Sequence, residues 1–141
     1  MFKKIFNKKS NEENNKEDIL VAALLIHAAK IDENYTSKEK EIIKKALVNF
    51  KSISLEEADD ILVKAEKKEE ESNQIVEYTK EIKKNSIEFR LKIIEILWKI
   101  VYSDGTSDNY ESNLIRRVCG LLYISDRDSG AVKLKVKNLL K

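Results

Sequence analysis

One arrangement occurs twice in this chain and limits what it can fold into. An apolar helix stops at an aspartate, a short polar corner follows, and a new helix opens with a glutamate in its first turn. One copy runs Val101-Tyr102-Ser103-Asp104-Gly105-Thr106-Ser107-Asp108-Asn109-Tyr110-Glu111. The earlier copy runs Ala29-Lys30-Ile31-Asp32-Glu33-Asn34-Tyr35-Thr36-Ser37-Lys38-Glu39. Asp32 aligns with Asp104 and Glu39 with Glu111, so each corner spaces its Asp and Glu seven positions apart, and the copies lie 72 positions apart. The match persists downstream, where Ile53-Ser54 is echoed by Ile124-Ser125 at a separation of 71. Two such halves predict an all-α fold of about seven helices, with a pseudo-twofold internal repeat around two central apolar helices.

The pattern between the corners agrees. The first helix is expected from about Asn15 to Ile31, and from Ile19 to Ala29 only His27 is polar. A helix apolar on every side is one buried on every side. The second helix begins after Thr36 with Glu39 three residues on, a capping-box spacing, and buries Ile42, Ile43, Ala46, Leu47 and Phe50. The third opens at Ser54, buries Ala58, Ile61, Leu62 and Ala65, and runs into Lys67-Lys68-Glu69-Glu70-Glu71, read as a solvated helix end. A short connecting helix over Gln74–Lys84 follows. Asn85 or Ser86 then caps a second apolar helix that ends near Ser103. The sixth helix starts near Asp108. The seventh starts after Ser125 with Val132, Leu134, Val136, Leu139 and Leu140 as its apolar residues. The two apolar helices are expected to pack on each other with the rest outside.

With 37% charged residues and no proline, the chain favours long helices with solvated outer faces. A net charge of +2, without aromatics interleaved in a basic patch, gives no case for nucleic acid. The single cysteine, Cys119, permits no internal disulfide, fits a reducing compartment, and lies on an apolar face as a core residue. The apolar run Ile19–Ile26 falls far short of the roughly 20 residues of a bilayer span. Residues 1–15 read as a basic tail preceding a helical domain over 16–141. In the tail Phe2, Ile5 and Phe6 share a face flanked by Lys3, Lys4, Lys8 and Lys9. Its beginning lacks the long apolar region of a secretory signal. Such a turn either makes weak peripheral contact with an anionic membrane or a partner, or frays and docks on its own domain.

The chemistry gathers at the corners. A carboxylate at a helix C-terminus meets the negative end of the helix dipole, and this happens at both Asp32 and Asp104. A bound cation would offset it, as would a Lys or Arg from a neighbouring helix. Ser103, Thr106, Ser107 and Asp108 in one corner, and Asn34, Thr36 and Ser37 in the other, supply further oxygens. Oxygen-only donors suit Ca²⁺ or Mg²⁺ ahead of Zn²⁺. Helix capping by itself also accounts for where Glu39 and Glu111 stand, with Thr36 and Asp108 as the caps, and Asp104-Gly105 also reads as turn chemistry. Neither corner is an EF-hand, because the twelfth position from each Asp is Ile43 or Ile115. His27 reads as a satisfied core histidine. With no Gly-rich phosphate loop and no paired Cys/His spacing, the chain is not expected to be an enzyme.

Two helix–corner–helix copies in a small all-helical chain resemble the tellurite-resistance TerB-like family over roughly Asp18 to Leu140. The first copy departs from the pattern in carrying Glu33 where the second has Gly105. The resemblance implies an all-α, internally duplicated domain that holds metal ions through acidic corner residues, here Asp32, Glu39, Asp104 and Glu111. It also implies a non-enzymatic, cytoplasmic role with a protein partner in metal-stress or envelope-associated systems. The alternative is a metal-free helical interaction module.

Overall fold

The computed structural model describes residues 2–30, 35–72, 74–102 and 109–139; for residues 2–15, Lys51 and residues 109–112 it describes the backbone alone. Among the described residues there are seven helices and no strand. They are α1 (Phe2–Ala29), α2 (Ser37–Lys51), α3 (Leu55–Glu71), α4 (Ile75–Ile82), α5 (Ile87–Val101), α6 (Asn109–Leu121) and α7 (Asp126–Leu139).

Side-chain caps set most of the starts. Thr36 and Glu39 close both halves of a capping box on α2. Ser54 Oγ accepts from the Glu57 N–H at the head of α3, Ser86 Oγ from Phe89 at α5, and Ser125 Oγ from Asp128 at α7. Of the two caps expected for α5, Ser86 is the one used. The helix α1 differs from expectation. It begins at Phe2, well before Asn15, through a polar stretch that contains neither Gly nor Pro.

Two chain reversals are alike. Ser52 and Tyr123 are the non-glycine residues with positive φ among the described residues, at 53° and 56°, and they stand 71 positions apart. Each lies just past a helix, α2 or α6, and each is followed by Ile-Ser and the next helix. After α6 the Ile124 N–H reaches the Cys119 carbonyl at 2.8 Å and the Tyr123 N–H reaches Gly120 at 3.4 Å, a Schellman closure that buries Ile124.

The core is a single cluster around α1, in which Ala22 to Ile26 are all fully buried. The expected contact between α1 and α5 exists, but it is not the main one. The principal neighbours of α1 are α3 and α4, whereas α5 rests chiefly on α7. In the first half α1 also touches α2, and α2 touches α3; in the second half α5 touches α6, and α6 touches α7. The last helix is shallower than its apolar residues predict: Val136 is buried, but Leu134 and Leu139 are exposed. On α2, Ile43 and Leu47 are buried, while Ile42, Ala46 and Phe50 remain half-buried.

Candidate functional site

At the first corner, α1 delivers His27 and Lys30, α2 delivers Glu39, and the charged end of α3 lies across them. Lys30 Nζ donates to Glu69 Oε2 at 2.8 Å, and His27 Nδ1 lies 3.2 Å from Glu69 Oε1. A carboxylate only accepts, so Nδ1 carries the histidine proton in this pair. Glu69 is 7% exposed. The solvated end expected for α3 is therefore wrong at this residue. The buried stripe Ala58, Ile61, Leu62 and Ala65 takes its next helical step onto Glu69, which packs against the one polar residue in the apolar stretch of α1. That stripe was the available signal, hidden because the run from Lys67 to Glu71 is uniformly charged. His27 is satisfied, as the sequence predicts, but it is half-buried and not a core residue. The Glu69 carboxylate holds Lys30 above the ordinary lysine range against the opposing pull of burial.

One turn nearer the start of α3, Glu66 Oε1 accepts from Tyr35 Oη at 3.2 Å and pairs with Lys40 Nζ at 2.9 Å. Burial, then the charges of Glu66 and Glu39, raise the Tyr35 phenol far above its ordinary value. Glu39 is itself buried, at 5% exposure. Its Oε1 accepts from the Thr36 N–H at 3.0 Å and from Thr36 Oγ1 at 3.0 Å, while its own N–H donates to Thr36 Oγ1 at 3.1 Å. Both side-chain bonds fall on one oxygen, which leaves Oε2 without a hydrogen-bond partner among the described residues. Helix capping thus occupies half of this carboxylate.

The other corner residues are less fully defined. Asp32 and Asp104 lie outside the described residues. Glu111 falls in the first turn of α6, with its side chain outside them, as are the side chains of Phe2, Ile5 and Phe6. Among the described residues no three His, Cys, Asp or Glu side chains gather as a metal-holding group. The Thr36 hydroxyl and the Glu39 carboxylate at the first corner are oxygen donors of the kind a hard ion takes. Cys119 is a core residue, as expected, and burial raises its thiol pKa. No helix among the described residues is long and apolar enough to cross a membrane.

A family model described as tellurite resistance protein TerB matches residues 18–134. No curated protein and no solved structure matches the chain.

Proposed function

Because the chain belongs to the tellurite resistance protein TerB family, we propose that it is a non-enzymatic helical module that binds a hard divalent cation at its acidic corners and couples that binding to a protein partner. Asp32 and Glu39 would hold the ion at the first corner, and Asp104 and Glu111 at the second. The observation that carries this reading is Glu39, a buried carboxylate of which the capping box engages Oε1 alone. Burial contributes most to the raised pKa of Tyr35, and the charges of Glu66 and Glu39 at the same corner add to it. Equivalence of the two corners is supported by the paired left-handed residues Ser52 and Tyr123 and by the matched packing of the two three-helix sets. The bound ion would supply positive charge at a helix C-terminus. Membership of this family and the single cysteine support a metal-stress or envelope-associated setting in a reducing compartment.

A second reading has its own observation. Lys30 already stands at the negative end of α1, so that end has a cationic side chain without a metal. A metal-free interaction module would use the same fold. Calorimetric titration of Ca²⁺, Mg²⁺ and Zn²⁺ into chelator-stripped protein separates the two. The proposal expects binding of Ca²⁺ or Mg²⁺ that Asp32→Asn and Asp104→Asn each reduce in stoichiometry. Absence of binding by any of the three ions would leave the metal-free module.

A further inference from the structure

The half-buried flank of α2 is half of a trough. Ile42, Ala46 and Phe50 on α2 and Ile96 on α5 form an apolar floor to a cavity of about 340 Å³ between the two helices. From Ile42 to Phe50 the helical rise gives it a length of roughly 12 Å, about two helical turns. Its rim is basic: Lys45 on one side, Lys92 and Lys99 on the other. On the same helix Lys40 pairs with Glu66 and Lys44 with Asp59 at 2.8 Å. The three rim lysines have no carboxylate within ion-pair distance among the described residues. The acidic residue in the lining, Glu95, is taken by Lys135 at 2.9 Å. Lys92 Nζ stands 5.7 Å from the centre of the Phe50 ring, so a cation lies directly over the apolar floor.

We propose that this trough between α2 and α5 docks an acidic amphipathic helix of a partner protein, its apolar stripe on Ile42, Ala46, Phe50 and Ile96 and its flanking carboxylates on Lys45, Lys92 and Lys99. Two helices bounding an apolar furrow two turns long match a third helix presenting anchors at i, i+4 and i+7. The rim charges select the sign of its flanks and would speed encounter at low salt. The N-terminal turn of this chain is excluded as an occupant by charge, because Phe2, Ile5 and Phe6 are flanked by lysines. The inference does not require a cation at the corners.

The test is fluorescence anisotropy with the full chain and a labelled synthetic helix carrying Leu and Phe on one face and Glu on its flanks. Saturable binding is expected. Lys45→Glu combined with Lys92→Glu, both exposed positions, should weaken it at least about tenfold. The same peptide with Lys in place of Glu should recover binding on that variant alone. If the reversal pair compromises folding, Lys45→Gln with Lys99→Gln should weaken binding to a smaller extent. Equal affinity for wild type and variants, or no binding at all, would overturn the proposal. So would binding of phosphatidylglycerol vesicles without binding of the peptide, which would make the trough a membrane contact. Each titration is run in Ca²⁺ and in chelator. Equal binding in both leaves the trough standing while removing the coupling proposed for the corners.

Discussion

Glu69 shows how a single residue ties the two ends of the first half together. Its two oxygens take His27 and Lys30 from the last turn of α1 while its backbone sits in the last turn of α3. Replacing it by Ala leaves a lysine and a histidine facing an apolar gap. Hydrogen bonds to charged groups are worth about 1.5–3 kcal/mol, and Lys30 is exposed enough to turn toward water. Glu69→Ala is therefore expected to lower unfolding stability by about 1.5–3 kcal/mol in urea titration. Lys64→Ala, whose pair with Asp60 is exposed on both sides, should cost under about 0.5 kcal/mol. At this scale the sequence was legible wherever a residue's role is local. The Thr36–Glu39 box and the burial of Cys119 follow from spacing along one helix. Glu69 was not legible, because its partners lie 42 and 39 positions away and nothing within α3 names them.

At the scale of the element, the starts of α2, α3, α5 and α7 were readable because Thr and Ser caps announce them, whereas that of α1 was not. The chain reversals at Ser52 and Tyr123 were not, because neither position carries the glycine that usually marks a left-handed cap. A side chain in that conformation costs about 1 kcal/mol relative to glycine. Ser52→Gly and Tyr123→Gly are each expected to raise stability by about 0.5–1 kcal/mol, seen as a higher melting temperature. A loss at either position would contradict the backbone described for it. Tyr123 is 74% exposed, so removing its ring sacrifices little packing. The apolar helices were identifiable from composition alone, yet their partners were not. An all-round apolar helix such as α1 specifies only that it is covered, and here α3 and α4 cover it more than α5 does.

For the whole molecule, the resolved pKa shifts of Lys30, Tyr35, Tyr78 and Cys119 point the same way on the alkaline side. Burial raises the acids Cys119, Tyr35 and Tyr78, and the Glu69 bond raises Lys30. For each, the folded chain keeps its proton to higher pH than the unfolded chain. The associated stability is present below the unfolded values, about 8.5 for Cys, 10 for Tyr and 10.4 for Lys, and is lost as pH rises past them. The melting temperature is expected to fall steadily above roughly pH 8.5, and Tyr35→Phe should shallow that fall near pH 10. The all-helical plan was legible from helical periodicity, and the recurrence of an Asp, a cap and a Glu at fixed spacing is a property of the sequence. What those corners hold is a question about oxygens brought together in space. The most direct test is thermal unfolding of chelator-stripped protein with Ca²⁺, Mg²⁺ or Zn²⁺ added in turn, beside Asp32→Asn, Asp104→Asn and Glu39→Gln. Gln preserves the capping box and removes only the charge. An ion at about 100 times its Kd adds roughly 2.7 kcal/mol, several degrees for a domain of this size. The account predicts that Ca²⁺ or Mg²⁺ raises the wild-type midpoint by at least that amount and that each of the three variants folds but loses the share of the response that its own corner supplies. An unchanged midpoint with every ion, together with Asn variants that melt as high as wild type, would contradict it and leave the corners as helix punctuation.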